Sequence, residues 1–265
     1  MIDLIQITND PALARRCDAL EGMRLFVDLE RNGKAERQAG RNTFISTHTL
    51  HDVGCIKAVL HRSKLMVRVN PLYPGSAAEV NAVLGQGADL LMLPMFNCAQ
   101  ELRDFCALVA GRRPVVALLE TAQALACLPD WVGTPGLHEV YVGLNDLHLS
   151  LGRRFMFEPL ALGLVDGVAQ QAVARGLRFG FGGIARLDGG LLSGRDVLAE
   201  HQRLGSRAVI LSRTFHEGAG QDTFEREVAA LRMAEQQLQA RSGAQQEADR
   251  QRIVATINRI AMAAA

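Results

Sequence analysis

The sequence predicts an eight-stranded (β/α) barrel, a TIM barrel, and two observations lead to this fold class. Short β-rich runs alternate with helical stretches, and the number and spacing of these units match such a barrel. Several helical stretches end in glycine just before the next strand, as at Gly111, Gly176 and Gly205, which is typical of helix C-termini. A doubly wound open sheet is the alternative, but it usually has fewer strands and a glycine fingerprint near its start.

The predicted strands are short runs rich in Val, Leu and Ile. In chain order they are 3–8, 24–29, 65–69, 89–93, 115–119, 139–143, 178–182 and 207–211. Helical periodicity appears between them, for example at 78–86, 98–109, 160–175 and 195–204. Because parallel strands in a barrel are buried on both faces, we expect each run to stay uncharged until it leaves the sheet.

The domain organisation predicted is one catalytic barrel over residues 1–220, followed by C-terminal helices over 221–265. The second segment is rich in Ala, Gln, Glu and Arg, and it has few helix breakers. Within it, Ile253, Ile257, Ile260 and Ala264 form an apolar stripe at helical spacing. The stripe packs either on the outer face of the barrel or on a neighbouring subunit, and we favour the second interpretation.

Composition narrows the class of protein. With 265 residues, 48% of them hydrophobic and 22% charged, the chain can bury the core of one enzyme-sized domain. The net charge of +1 favours neither nucleic acid nor a membrane surface as a partner. The N-terminus has no signal-peptide order, and the odd set of five cysteines has no CxxC spacing. These features predict a cytoplasmic protein without zinc or disulfides.

Two acidic residues follow successive apolar runs. Glu120 comes directly after 115–119, and Asp146 lies in the loop that follows 139–143. The C-terminal ends of barrel strands are where this fold places its chemistry. Two carboxylates there would hold a hard divalent cation and leave positions open for a substrate. The alternative is that each carboxylate merely caps the helix that follows it.

Other strand ends supply further polar groups to the same expected face. Arg68 ends the third strand, and its planar guanidinium suits a substrate carboxylate, although an ion pair with Glu30 or Glu120 is the structural alternative. A polar cluster, 28–32, ends the second strand. Ser212 follows the eighth strand and could donate a hydrogen bond into the mouth of the barrel.

The run from Gly180 to Ala185 satisfies the G-x-G-x-x-A form of a dinucleotide loop. Its glycines fall inside the seventh predicted strand, whereas a dinucleotide loop places them in the turn after a strand. No acidic residue closes a second strand at the distance expected for a ribose ligand. We therefore interpret these glycines as sites of close backbone packing and not as a nicotinamide site.

Four motifs together resemble the HpcH/HpaI aldolase and citrate lyase family. They are VRVN with Arg68, GADLLMLPM ending at Met95, LLET with Glu120 and GLNDLHLS around Asp146, and they cover about residues 24–150 in the order of the family. The resemblance implies a metal-dependent barrel that makes or breaks a carbon–carbon bond beside a 2-oxo acid, or that acts on acyl-CoA esters. It also implies dimers that assemble into hexamers.

The resemblance assigns roles to individual residues. Glu120 and Asp146 would bind the divalent metal, Mg²⁺ or else Mn²⁺ or Co²⁺, and Arg68 would hold the substrate carboxylate. The backbone at two places would line the substrate pocket, namely Gly87-Ala88 and Leu93-Pro94.

One departure from the family pattern concerns the acid–base group. The aldolase branch has a histidine directly after the glutamate that ends the second strand, and the citrate lyase branch has an acidic residue there. This chain has Arg31 after Glu30. The remaining acid–base candidates are His48 and His51, in the run 46–51, and His148, two residues after Asp146.

The function predicted is a divalent-metal-dependent carbon–carbon lyase, an aldolase of the metal-using type, acting on the enolate of pyruvate or a related 2-oxo acid. Its second substrate would be an aldehyde or an acyl compound. The alternative is a citrate lyase-like or acyl-CoA ester lyase, or other phosphoenolpyruvate or oxaloacetate chemistry on the same metal site. No lysine ends a strand in a setting suited to a Schiff base, so the metal route is preferred to an imine.

Overall fold

The computed structural model describes residues 1–33, 46–216 and 223–263. The described residues contain eight strands that are hydrogen-bonded in sequence order and close into a parallel barrel, which confirms the predicted fold class. The strands are β1 (Asp3–Ile7), β2 (Met23–Asp28), β3 (Lys64–Arg68), β4 (Leu90–Leu93), β5 (Val115–Leu119), β6 (Leu137–Val142), β7 (Arg178–Ile184) and β8 (Ala208–Leu211).

Helices follow most strands, and two long ones end the chain. They are α1 (Pro11–Asp18), α2 (Leu50–Lys57), α3 (Ser76–Gly85), α4 (Ala99–Val109), α5 (Ala122–Ala126), α6 (Leu128–Trp131), α7 (Leu144–Ser150), α8 (Glu158–Ala161), α9 (Leu164–Ala174), α10 (Gly194–Arg203), α11 (Arg213–His216), α12 (Thr223–Gln239) and α13 (Gly243–Ala263). Among these described helices, none combines the length and the apolar character needed to cross a membrane.

Every predicted strand overlaps one observed strand, with small differences at the ends. The largest difference among the helices concerns the stretch predicted at 160–175, which the structure divides into α8 and α9. The break falls at Gly163, whose φ of 70° lies in the left-handed region. Glycine adopts this conformation without the steric penalty that a Cβ would cause, so the helix can break at Gly163. The apolar periodicity continues on both sides of the break and therefore does not reveal it.

The chain forms two units, and the first comprises Leu4–Tyr141. In this unit the register pairs Asp28 with Arg68 at the ends of β2 and β3, and it pairs Leu93 with Ala117 between β4 and β5. The strands between their ends are buried and almost entirely apolar, as expected for a parallel barrel. The register therefore aligns the C-terminal ends of neighbouring strands, where the polar residues begin.

An ion pair inside the first unit departs from the expectation that strands stay uncharged. Arg24 on β2 donates from Nη1 and Nη2 to the two carboxylate oxygens of Glu139 on β6, over 2.9 and 3.0 Å. Both side chains are buried. Because β2 and β6 are not neighbours in the barrel, the pair joins strands across its interior, near the N-terminal ends of both.

The second unit comprises Met1–Asp3 and Val142–Ala265. Here the glycines of the run that resembles a dinucleotide loop lie within β7, as predicted. The pairing of β7 with β8 shifts between Gly180 and Gly183, which is a β-bulge. Gly182 has a φ of 55°, and a Cβ there would lie 2.9 Å from the Leu144 side chain. The glycines thus allow the β-bulge in β7 and the close approach of the Leu144 side chain to Gly182.

The C-terminal helix α13 packs within the second unit on α8 and α10. Ile253 and Ile257, in the apolar stripe, are almost completely buried there. On the same helix Arg252 forms two hydrogen bonds with the Asp196 carboxylate, and Arg250 pairs with Asp166. For these two isoleucines the structure thus supports the interpretation that we did not favour, in which the stripe covers helices of its own chain.

A buried histidine in the second unit makes stability depend on pH. His201 on α10 is fully buried, stacks on the Phe181 ring at 3.8 Å and lies 2.7 Å from the Ser206 hydroxyl through Nδ1. Its Nε2 is shielded from solvent and has no hydrogen-bond partner within the described chain. Burial lowers the pKa of His201 from 6.5 to about 3, because the charged imidazolium is disfavoured there.

We therefore expect acid to destabilise the second unit through His201. A histidine whose folded pKa is depressed contributes stability that is present above pH 6.5 and is lost as the pH falls towards about 3. At about 1.4 kcal/mol per pH unit, the loss approaches roughly 5 kcal/mol. Urea unfolding between pH 7 and pH 4 should show a shallower decline for His201→Leu than for the wild type. Equal slopes in the two proteins would contradict this account.

Candidate functional site

A cluster of buried charges lies at the C-terminal ends of β2, β3 and β5 in the first unit. The Arg68 guanidinium donates from Nε and Nη2 to both carboxylate oxygens of Asp28, over 2.8 and 2.7 Å. Its Nη2 also lies 3.3 Å from Oε2 of Glu30. The guanidinium carbon is 5.7 Å from the centre of the Phe26 ring. Arg68 is therefore held in one orientation by a two-point ion pair and an aromatic face.

Three buried carboxylates interact electrostatically with this one arginine. Asp28, Glu30 and Glu120 are each less than 5% exposed, and all three act electrostatically on Arg68. Burial alone disfavours the charged guanidinium, but the carboxylates more than offset this effect and hold the pKa of Arg68 above its usual value. The ion-pair alternative for Arg68 is thus observed, although its main partner is Asp28, which sequence reasoning did not single out.

The position of Glu120 is fixed by the loop after β4. Its Oε1 accepts a hydrogen bond of 3.1 Å from the backbone N–H of Met95. Met95 has a φ of 55°, a left-handed conformation that costs a non-glycine residue about 1–3 kcal/mol and that tends to occur at functional sites. Glu120 does not cap the next helix, because Thr121 is the N-cap residue of α5. The capping alternative is therefore wrong for Glu120.

Asp146 belongs to the second unit, where it is the third residue of α7. The segment LND was expected to be a loop and is the first turn of this helix, whose N-cap residue is Gly143. No hydrogen bond or ion pair of the Asp146 carboxylate is found among the described residues, and α7 has no side-chain cap. The capping alternative is wrong here too, and the half-buried carboxylate is available for another ligand.

His148 lies on the same helix but does not face Asp146. It is buried, and its Nδ1 is 3.1 Å from the carbonyl oxygen of Leu144, four residues earlier on α7. Residues two apart in an α-helix point to different sides of it. The proximity to Asp146 that the sequence spacing suggested is therefore not produced by the fold, which weakens His148 as an acid–base candidate.

His48 adjoins the charged cluster of the first unit. Its buried imidazole accepts a hydrogen bond at Nδ1 from the backbone N–H of Asp28, over 3.2 Å. A neutral imidazole with Nδ1 as acceptor carries its proton on Nε2. Arg31 is exposed and donates from Nη2 to the backbone carbonyl of His48 over 3.0 Å. The structure thus brings the residue that departs from the family pattern into contact with the nearest histidine candidate.

His51 has a more peripheral position than His48. It lies on the exposed side of α2, and its Nε2 is 3.2 Å from Sγ of Cys55, one turn later. Helix α2 begins with a capping box formed by Thr49 and Asp52, which explains why the run of serine, threonine and histidine starts a helix.

Of the two backbone segments expected to line the substrate pocket, only one lies at the C-terminal end of its strand, where the charged cluster is. Leu93 ends β4 and Pro94 follows it, on the same side as Glu120. Gly87 and Ala88 precede β4, so the whole strand separates them from Leu93. The prediction that all four line one pocket is therefore wrong for Gly87 and Ala88. Ser212 lies in the second unit directly after β8, and its N–H bonds to the Ile184 carbonyl.

The donor set at this end of the barrel suits a hard cation. Oxygen ligands from carboxylates are what Mg²⁺ prefers, and a cation would offset the excess of buried carboxylate around Arg68. A metal site also needs hydrogen bonds that orient its ligating carboxylates. The backbone N–H of Met95 donates such a bond to Glu120. Among the described residues, no three side chains of the His, Cys, Asp or Glu type form a ready-made metal cluster.

Asp28 is the residue of this site that sequence reasoning missed. The sequence does contain a signal for Asp28, because this charged residue ends an apolar strand in the same way that Arg68 does. In the sequence Asp28 is only one member of the polar cluster 28–32. The parallel register of β2 and β3 pairs it with Arg68.

Fold and site together define a barrel enzyme with a carboxylate-rich centre, and sequence comparison identifies its family. The sequence profile of the HpcH/HpaI aldolase/citrate lyase family matches residues 6–159, more than half of the chain. The chain belongs to this family. The predicted resemblance is confirmed, and the family description places the protein among lyases and aldolases.

Individual relatives are more distant. Residues of this chain are 32% identical over 103 positions to a (3S)-malyl-CoA thioesterase of Cereibacter sphaeroides, an alignment that covers 38% of this chain and 35% of the relative. The chain thus matches about a third of the length of that curated relative.

Solved structures share the fold at low sequence identity. A family protein from Burkholderia cenocepacia is 17% identical, with a TM-score of 0.61 over 90% of this chain and 95% of the other. The citrate lyase beta subunit of M. tuberculosis, solved with oxaloacetate and magnesium, is 19% identical, with a TM-score of 0.60 over 88% and 95%. These similarities show the common barrel.

Proposed function

We propose that the protein is a divalent-metal-dependent carbon–carbon lyase that forms or cleaves a bond to the enolate of pyruvate or a related 2-oxo acid. The observation that supports this most is the buried cluster in which Arg68 meets Asp28, Glu30 and Glu120. Such a concentration of charge at strand ends is costly for a barrel that needs only stability. Family membership supports the same reaction class.

Arg68 would bind the carboxylate of the 2-oxo acid. Asp28 occupies Nε and Nη2, while Nη1 has no hydrogen-bond partner among the described residues. The two-point pair with Asp28 thus orients the guanidinium and leaves the Nη1 amino group, with its two N–H donors, for an anionic substrate. Arg68 would act by positioning, since its raised pKa keeps it protonated throughout the working range.

Glu120 and Asp146 are proposed as the protein ligands of the metal. This pairing rests on their places after β5 and β6, on their carboxylate chemistry and on the motifs LLET and GLNDLHLS. When bound, Mg²⁺, or Mn²⁺ or Co²⁺ in its place, would supply Lewis-acid stabilisation of negative charge on the keto oxygen. The magnesium in the citrate lyase beta subunit of M. tuberculosis supports this choice of cation.

His48 is the proposed acid–base group, with Arg31 in contact with it and Glu30 as a further candidate in the charged cluster around Arg68. Because Nδ1 accepts from Asp28, the proton that His48 could exchange with a substrate hydroxyl is on Nε2. Arg31 fixes the backbone of His48 and stands where the aldolase branch has its histidine. Leu93, Pro94 and Ser212 stay proposed as pocket residues at the strand ends, and His148 stays a weaker alternative to His48.

A second candidate function is cleavage of an acyl-CoA ester by the same centre. The similarity to (3S)-malyl-CoA thioesterase supports this alternative. The homo-oligomer, from dimer to hexamer, and the cytoplasmic location stay predictions.

A substrate comparison separates the two candidates. Release of pyruvate from 4-hydroxy-2-oxo acids, followed with lactate dehydrogenase and Mg²⁺, is expected for the first function. Release of free CoA from malyl-CoA, followed with a thiol reagent, is expected for the second. Turnover of the hydroxy-oxo acids that is abolished in Arg68→Gln supports the proposal. Turnover of malyl-CoA alone would replace it by the alternative.

A further inference from the structure

Two cysteines of the first unit, Cys98 and Cys127, lie together at the end of the loop that follows β4. Cys98 is the N-cap residue of α4, and Cys127 follows α5. The Cys127 sulfur lies 3.6 Å from the carbonyl oxygen of Asn97, and the backbone N–H of Ala99 also interacts with it. The sulfur of Cys127 is therefore in contact with the backbone on both sides of Cys98.

The side chain of Cys98 is free to turn towards this sulfur. Cys98 is exposed, and α4 has no side-chain cap, so its thiol has no hydrogen-bond partner among the described residues. Disulfide bonds join residues whose Cα atoms are about 4.4–6.8 Å apart. Because the Cys127 sulfur already contacts the two groups that flank the Cα of Cys98, rotation of the side chains brings the sulfurs to bonding distance without refolding either helix.

The surroundings of the cysteines give them different reactivity. Burial, and after it the charges of Asp130 and Cys98, raise the pKa of the half-buried Cys127 thiol, which therefore stays protonated. Cys98 is the more accessible of the two to an oxidant in solution. Cys17 and Cys106 are buried, and burial raises the pKa of Cys106 to about 11, which makes it inert.

A bond between these cysteines would act on the loop that positions Glu120. Two hydrogen bonds already join residues 94–98 to the segment after β5. One is the bond from the Met95 N–H to Glu120, and the other runs from the Thr121 hydroxyl to the carbonyl oxygen of Phe96 over 2.8 Å. A disulfide at the end of the loop would be a third link between the same two segments, and a covalent one.

We propose that Cys98 and Cys127 are a redox-active pair, which a hydroperoxide converts into a reversible disulfide that fixes the loop 94–98 against the segment after β5. The Cys98 sulfur attacks the peroxide bond and takes one oxygen as a sulfenic acid, and the rest of the peroxide leaves as an alcohol or water. The Cys127 sulfur then displaces this oxygen as water and forms the S–S bond. Both thiols lose their hydrogens, and the hydroperoxide accepts the two electrons.

This disulfide differs from a structural one. All five cysteines are free thiols in the structure, so the bond would form only when an oxidant is present and would be reversed by a dithiol. Transient bonds of this kind are the ones that occur in reducing compartments. The inference does not depend on the proposed lyase reaction, because it concerns the thiols and the loop alone.

Peptide mapping after treatment with hydrogen peroxide tests the pairing. The protein is alkylated in denaturant and digested without reductant. We expect two of the five thiols to become protected, one peptide pair to be joined through Cys98 and Cys127, and dithiothreitol to restore both thiols. Two thiols that stay open to alkylation, a bond between two copies of the chain, or over-oxidised Cys98 without a disulfide would each overturn the proposal.

Variants assign the order of the two steps. Cys98→Ser should leave Cys127 reduced, whereas Cys127→Ser should carry Cys98 on to the sulfinic acid, because no second thiol intercepts the sulfenic acid. The matched control is Cys55→Ser, which removes a partly exposed thiol paired with His51 on α2 and should form the disulfide as the wild type does. Loss of the disulfide in Cys55→Ser would place the reactive thiol on α2 and contradict the assignment.

Hydrogen exchange followed by mass spectrometry tests the effect on the loop. The peptide that contains Met95 should exchange at least about tenfold more slowly in the oxidised protein, because a cross-link limits local opening of the loop. Peroxide-treated Cys127→Ser is the control and should exchange as the reduced wild type does. Exchange that is unchanged or faster in a protein with the mapped disulfide would contradict the fixing of the loop. The measurement uses no metal and no substrate, so its result is independent of the proposed lyase.

Discussion

Replacement of Glu120 by glutamine is expected to reduce the affinity for Mn²⁺ by at least about 100-fold, because changes beyond the direct ligands of a metal site already cost about 10–100-fold. Glutamine preserves the shape of the side chain and can still accept the hydrogen bond from Met95, but it removes the negative charge. Free Mn²⁺ measured by electron paramagnetic resonance gives the affinity. Pyruvate proton exchange should fall in parallel.

The matched control for Glu120→Gln is Asp130→Asn, which removes an exposed carboxylate from α6, a little further along the chain. It should bind Mn²⁺ with wild-type affinity. A variant Glu120→Gln that binds Mn²⁺ as tightly as the control would remove Glu120 from the metal site. In that case the buried carboxylates around Arg68 would have to be assigned a structural role.

Replacement of Glu139 by leucine is expected to cost about 3–5 kcal/mol of unfolding free energy. The change leaves the Arg24 guanidinium buried without the carboxylate that accepts two of its hydrogen bonds. For a domain of this size, such a loss corresponds to a decrease in Tm of roughly 6–20 °C. Thermal unfolding followed by circular dichroism measures this decrease.

The double variant Arg24→Met with Glu139→Leu serves as the control for this ion pair. Apolar residues of similar volume avoid both desolvation costs, so the double variant should recover most of the lost stability. A Tm for Glu139→Leu within about 2 °C of the wild type would show that the interior pair is not required. A double variant that is less stable than Glu139→Leu would show that Arg24 has other essential partners.

The fold could be predicted from the sequence because its signals are local and repeated. Apolar runs end at charged residues, and glycines close the helices, so eight units could be counted without knowledge of contacts. The ion pair between Arg24 and Glu139 could not be predicted in this way. The two residues are 115 positions apart, and each appears in the sequence as a charge at the edge of an apolar run.

The candidate site was predictable in its residue types but not in its pairings. Strand ends pointed to Arg68, Glu120 and Glu30, whereas the partner of Arg68 depended on the register between β2 and β3. Helix phase was the second difficulty. The spacing of Asp146 and His148 suggested proximity, but on α7 the two side chains point to different sides of the helix.

The C-terminal stripe shows a third limit of sequence patterns. Ile253 and Ile257 indicated a buried helix face, and they are buried. The pattern could not indicate which surface buries them, because helices of the same chain and of a partner chain offer the same apolar contacts. In the structure α13 packs on α8 and α10, and the ion pairs of Arg250 with Asp166 and of Arg252 with Asp196 link it to α9 and α10.

Exchange of the pyruvate methyl protons into heavy water is the most direct test of the proposed function. The reaction needs the metal, the Arg68 clamp and a base, but no second substrate. We expect NMR to show exchange that requires Mg²⁺ or Mn²⁺ and that is lost in Glu120→Gln, Asp146→Asn and Arg68→Gln. An enzyme that binds the metal yet exchanges no pyruvate protons, or one that exchanges them equally well with a chelator present, would contradict metal-dependent enolate chemistry at this site.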